Sequence, residues 1–194
     1  MDQLTTVRRN LQSSITLKQR LLADETMISL VAEIADVVVA CYEKGGKVFF
    51  CGNGGSAADA QHLAAELSGR YYYDRPPLFA EALHVNTSYI TAVANDYSYD
   101  DIYSRWITAI GHAGDVLIAL STSGNSTNVV KAVEQGNTNG MVTVGFTGET
   151  GGKLRGICDY LVAIPATDTP RIQECHMLLG HTICEIVEAR LFPR

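Results

Sequence analysis

The chain lacks any apolar run long enough to cross a bilayer, and its first residues, MDQLTTVRRN, lack the apolar core of a signal peptide. A cytoplasmic protein with no membrane partner is expected. There is no basic run, and the net charge is −6, which argues against nucleic acid as the ligand. An acidic protein can still bind a phosphorylated metabolite, because backbone amides hold phosphate without help from lysine or arginine. The five cysteines (Cys41, Cys51, Cys158, Cys175, Cys184) form no CxxC pair, and several lie in apolar runs, so reduced core thiols are expected rather than a disulfide framework. No GKS or GKT follows a glycine loop, which excludes a P-loop, and no HExxH is present. Internal repeats, linkers and low-complexity segments are absent too. What remains is 194 residues, 46% hydrophobic and 19% charged, enough for one full core and read as one domain over 1–194.

The chain is organised around Lys47–Arg70. Val48–Cys51 is a short apolar run suited to a central parallel strand. Gly52, Asn53, Gly54, Gly55 and Ser56 follow, and Ser56 is expected to cap a helix beginning near Ala57. Free amides at a helix start, backed by the helix dipole, favour an anion such as phosphate. As a dinucleotide fingerprint the loop is weak, because the acid expected about twenty residues on would be Asp74, which falls in a loop.

Ahead of this stretch, residues 1–45 carry two helices. Leu4, Val7, Leu11 and Ile15 repeat at helical spacing, either packing on their own domain or meeting another subunit. Asp24 caps a second helix, with Met27, Ile28, Val31, Ile34, Ala35 and Val38 on its buried face, and Gly45-Gly46 ends it. Beyond it, 79–85 reads weakly as a strand, and a short helix runs from 86–88 to Asn95-Asp96. Asp100 or Asp101 caps a helix through Ile110. Val116–Leu120 is a second clear strand, followed by a helix over 127–134, a strand over 141–146, a short helix over 153–157 and a last strand over 161–164. Asp168 or Thr169 caps the final helix, which has Pro170 at its start and runs to about Arg190. Alternating strands and helices predict an α/β three-layer sandwich with a central parallel sheet, flavodoxin-like, preceded by the two N-terminal helices. In such sheets ligands bind at the carboxyl ends of the strands near a switch in strand order. Both polar loops lie at such ends.

Three further patterns carry chemistry. Ser121, Thr122, Ser123 and Ser126 place four hydroxyls around Gly124 ahead of a helix, more donors than capping requires and suited to phosphate. His62 and Glu66 are four residues apart on one helix face, which suits two ligands of one metal, an acid–base pair or a surface ion pair. In the last helix, Gln173 and His181 are separated by about 12 Å along the axis. A compact metal site using both therefore needs long side chains converging from opposite ends, or two subunits. His176 lies close enough to Gln173 to compete for that role, and Gly180 costs about 1 kcal/mol relative to alanine in a helix unless something approaches closely there.

Taken together, CGNGGSAADAQHLAAEL, AVANDY, LSTSGNSTNVVKA, GFTGETGGKL and TPRIQECHMLLGH closely resemble the phosphoheptose isomerase family of the sugar isomerase (SIS) domain superfamily, from about residue 24 to the C-terminus. The resemblance implies a homotetramer of single SIS domains with active sites lined by more than one subunit. It implies conversion of sedoheptulose 7-phosphate to glycero-manno-heptose 7-phosphate through an enediol. That reaction is the first step toward activated heptose for lipopolysaccharide or other surface glycans. By the same resemblance, Asn53, Gly54, Gly55 and Ser56 form a substrate loop, and Asn95 and Asp96 a second contact. Ser121, Thr122, Ser123 and Ser126 cradle the phosphate, and Glu66 and Gln173 also meet substrate. His62, Glu66, Gln173 and His181 match the ligands of one zinc per subunit. Glu66 is then read as the base at carbon and His181 as its acid partner, although a carboxylate bound to zinc is a weaker base. A sister group of non-catalytic SIS tetramers binds the bacterial replication initiator and lacks the metal-ligand pattern; the C-terminal ARLFPR resembles it slightly. Isomerisation of a shorter sugar phosphate is the other alternative, since the cradle reads phosphate rather than chain length.

Overall fold

The two clearest apolar runs become the middle of a five-stranded sheet. The computed structural model describes residues 2–194; Met1, counted above with the N-terminal helices, lies outside the described residues. Strands β1 (Val48–Gly52), β2 (Ala80–Ala82), β3 (Val116–Leu120), β4 (Val142–Thr147) and β5 (Tyr160–Ala163) lie in the order β2-β1-β3-β4-β5, each pair parallel. The order reverses between β1 and β3, which pair in register from Val48↔Val116 to Gly52↔Leu120. The loops after both strands therefore leave the sheet side by side at the switch point.

All residues of β1 and β3 are buried, because helices cover both faces. Val48, Phe50, Val116, Ile118 and Leu120 enter one core with α2 (Glu25–Glu43), α3 (Gly55–Ser68) and α7 (Thr169–Leu191). Phe49, Cys51, Leu117 and Ala119 enter the other with α4 (Thr87–Asp96), α5 (Ile102–Ile110) and α6 (Thr127–Thr138). Alternate residues of one strand thus feed two cores, giving the three-layer sandwich. Helix α1 (Gln3–Leu22) lies outside these layers, tied to the rest by Arg171 Nη1 donating to Asn10 O at 2.7 Å and Ser14 Oγ to Glu174 Oε2 at 2.7 Å.

Several expectations shift. Helix α3 begins at Gly55 rather than Ala57, and its N-cap is Gly54, whose φ of +56° suits glycine alone among common residues. Ser56 is consequently the second residue of the helix and not its N-cap. Ahead of α5, Ser98 Oγ accepts from Asp100 N at 3.1 Å and starts a 3-10 turn over Tyr99–Asp101, so neither Asp100 nor Asp101 is a side-chain cap. Helix α6 runs on to Thr138. The turn over Gly152–Gly156 is 3-10, not α. Ile28 is 43% exposed rather than on the buried face of α2. The stripe Leu4, Val7, Leu11 and Ile15 is 49–66% exposed, while Leu17 and Leu21 make the buried contact of α1. Packing on its own domain is therefore not what that stripe does. Among the described residues, no helix is long and apolar enough to cross a membrane.

His176 is a core residue. It is fully buried, its Nε2 lies 3.0 Å from Thr147 O, and its ring meets the Phe146 ring edge-on. Burial pushes its pKa down to about 4, against a slight upward pull from the Thr147 carbonyl. The unfolded chain therefore takes up this proton at higher pH than the folded one. The stability that depends on neutral His176 is complete above about pH 6.5 and is lost as pH falls toward 4, up to about 3 kcal/mol. Thermal melts from pH 7 to pH 4 are expected to fall less steeply for His176→Gln than for the wild type. Parallel pH profiles would contradict this placement.

Candidate active site

The loop after β1 is held rigidly. Asn53 and Asn128 exchange amide hydrogen bonds of 2.8 and 2.9 Å, and Tyr99 OH donates to Asn53 Oδ1 at 3.1 Å. The buried Tyr103 OH donates to the carbonyl of Gly52. In the loop after β3, Ser121 Oγ and Ser126 Oγ are 3.1 Å apart. The Ser123 hydroxyl instead accepts from Asn125 N at 3.2 Å and serves its own turn.

These loops wall a cavity of about 300 Å³, to which β1's loop and α3 give Asn53, Gly55 and Ser56, the loop after β3 gives Ser121, Thr122 and Ser126, and α7 gives Thr169 and Gln173. Three helices start at this cavity. Their N-caps, Gly54, Ser126 and Asp168, make no side-chain cap hydrogen bond among the described residues. Three positive dipole ends thus face the cavity, with the hydroxyls of Ser121, Thr122 and Ser126 beside them, although the Val129 amide of α6 already donates to Asn128 Oδ1 at 2.9 Å. Such a wall suits an anion although it contains no lysine or arginine.

A second group lies farther along the same two helices. His62 Nε2 is 3.0 Å from Glu66 Oε1, and the His62 and His181 rings meet edge-on with centroids 5.0 Å apart. One ligand atom from each of His62, Glu66 and His181 lies within 4.8 Å of the others. Nε2 of His181 is buried and has no hydrogen-bond partner among the described residues, while the His62 side chain is 52% exposed. Burial, and next the adjacent His62, push the His181 imidazole below the ordinary histidine range. Two imidazoles and a carboxylate suit zinc or a similar ion, and three protein ligands leave a position open. An orphaned buried nitrogen on His181 is a donor that such an ion would satisfy.

Gln173 lies on the cavity wall, toward the N-terminal end of α7. Its Nε2 approaches Ser56 Oγ at 3.5 Å, at the phosphate cavity, about 12 Å along α7 from His181. Asn95 and Asp96 are exposed at the end of α4, Asn95 Nδ2 donating to Asp96 Oδ1 at 2.8 Å, and are not on the cavity wall. The sequence reading missed Thr169 as a wall residue and Asn128 as the partner of Asn53. Asn128 left one trace, a polar residue on what became the buried face of α6.

The SIS domain family model matches residues 12–148. The chain is similar to the phosphoheptose isomerase of Aneurinibacillus thermoaerophilus, with 47% identity over 96% of this chain and 94% of that protein. It is similar to the solved phosphoheptose isomerase from Neisseria gonorrhoeae, with a TM-score of 0.91 and 39% identity over 97% of this chain and all of that one. The solved phosphoheptose isomerase from Francisella tularensis gives 0.92 at 35% identity, covering 96% and 98%.

If the helix-start cavity is the anion site, Ser126→Ala should weaken binding of inorganic phosphate about 10–100-fold, since a hydrogen bond to a charged group contributes about 1.5–3 kcal/mol. Thermal-shift titration with phosphate measures this. His62→Ala should leave phosphate affinity unchanged; equal losses in both variants would contradict the separation of the two groups.

Proposed function

Since the chain belongs to the phosphoheptose isomerase family of SIS-domain proteins and is a sugar-phosphate isomerase, we propose that it converts sedoheptulose 7-phosphate to glycero-manno-heptose 7-phosphate in the cytoplasm, supplying activated heptose for surface glycans. The observation that carries this reading is the pairing of two sites on the same two helices: an anion cavity at their N-terminal ends, and an imidazole–carboxylate cluster two to three turns beyond.

The roles follow from the chemistry. Moving a proton between C1 and C2 needs a base at carbon, an acid at oxygen and something to hold the far end of the sugar. The cavity grips the phosphate, and that binding energy orients the reacting carbons. Glu66 takes the proton from C1 and returns it to C2 as the enediol collapses. His181 gives a proton to the C2 oxygen and takes one back from the C1 oxygen. His62, Glu66 and His181 would hold a zinc ion, and when bound it supplies Lewis-acid polarisation of the sugar carbonyl. His62, at 3.0 Å from Glu66, keeps that carboxylate turned toward the cluster.

Glu66 is eleven residues beyond Gly55, about 16 Å along α3, which is longer than a heptose phosphate. We therefore place the phosphate cavity of one subunit opposite the cluster of another, in a homotetramer. Gln173 then serves the phosphate end on its own chain and reaches a metal only across that interface. The exposed apolar stripe of α1 supports subunit contact. The replication-initiator-binding alternative loses ground to relatives of nearly full length that are named as isomerases.

The test is turnover of sedoheptulose 7-phosphate before and after chelation, alongside Glu66→Gln. Glu66→Gln is expected to lose about 10²–10⁴-fold in turnover. Near-normal turnover would remove Glu66 as the base, and turnover untouched by exhaustive chelation would remove the metal.

A further inference from the structure

Glu188 is seven residues beyond His181 on α7, hence on the same face of that helix, and is 1% exposed. Both of its carboxylate oxygens are engaged. Oε1 accepts from Tyr71 N at 2.8 Å and from Arg75 Nε at 3.1 Å, and Oε2 accepts from Tyr72 N at 2.7 Å. Burial alone would raise this carboxyl, but the two amides and the Arg75 guanidinium outweigh it and hold it below the usual range. Arg75, buried with it, turns its remaining nitrogens on the carbonyls of Glu66 at 2.9 Å, Leu67 at 2.7 Å and Gly69 at 3.1 Å. The last carbonyls of a helix have no intrahelical partner, and a cation is favoured at that end of the dipole. The guanidinium therefore fixes the end of α3 through the backbone of Glu66 itself. The same loop lays the Tyr71 ring on His181, centroids 5.8 Å apart.

A buried ion pair is a weak device for stability, since apolar residues of equal volume often do as well. What this one does that an apolar pair cannot is tie one loop to two members of the cluster at once. We propose that Glu188 and Arg75 are positioning residues for the His62–Glu66–His181 centre, with Tyr71 as the wall through which they act on His181. This rests on reading that cluster as a metal-binding acid–base centre.

The test uses the full-length protein and zinc alone, with affinity read by competition against a chromophoric chelator and inorganic phosphate as the control ligand. Glu188→Gln keeps the shape and removes the charge. It should weaken zinc about 10–100-fold, as loss of a partner behind metal ligands does, with phosphate affinity unchanged. Tyr71→Ala, which keeps the amide to Glu188, should also weaken zinc, and Tyr71→Phe should restore it; this pair decides the matter if Glu188→Gln does not fold. Unchanged zinc affinity in folded Glu188→Gln or in Tyr71→Ala would overturn the proposal. Parallel loss of zinc and phosphate would also overturn it, by showing a general structural role. A wild-type protein that takes up no zinc would defeat the metal reading of the cluster, and this proposal with it.

Discussion

The close approach of α3 and α7 at Leu63 and Gly180 sets the spacing on which both sites depend. A Cβ at Gly180 would lie 2.6 Å from Leu63 Cδ1, so any side chain there requires Leu63 to shift. Glycine inside a helix costs about 1 kcal/mol against alanine, and this contact is its structural reason. Because the two helices run side by side in the same direction, three matched contacts follow in order. Ser56 meets Gln173 at the anion cavity, His62 and Glu66 meet His181, and the end of α3 meets the Arg75–Glu188 pair.

The electrostatics of α3 give each contact its chemistry. Its positive end opens on the cavity, uncapped by any side chain among the described residues, and favours an anion. Its negative end is closed by a buried guanidinium. Between them lie His62 and Glu66. One helix thus carries an open positive end and an imidazole–carboxylate face at a fixed separation. From Gly55 to Glu66 that separation is about 16 Å along the helix axis.

Much of this was legible in the residues. Val48–Cys51 and Val116–Leu120 announced the central strands because strands covered on both faces read as unbroken apolar runs. Their polar loops marked the rim, and Gly180 signalled a close contact. What failed was of two kinds. Ser56 was read as a cap because serine caps helices often, yet the positive φ available at Gly54 started the helix two residues early. The α1 stripe showed amphipathicity, but periodicity cannot say which body covers an apolar face. The Arg75–Glu188 pair was invisible because its members are 113 residues apart and belong to no local pattern. Asn128 and Thr169 were missed for a similar reason: they act on partners brought near only by the crossovers of the sheet.

The most direct measurement of the central claim is the activity of Gly180→Ala, alone and combined with Leu63→Val. Helix propensity alone would favour alanine by about 1 kcal/mol, while overpacking a tight core costs about 1–3 kcal/mol. The account predicts that Gly180→Ala forces the helices apart and lowers both zinc affinity and isomerase turnover, and that Leu63→Val, by shortening the opposing side chain, restores them. Wild-type activity in Gly180→Ala, or a loss that Leu63→Val does not relieve, would contradict it.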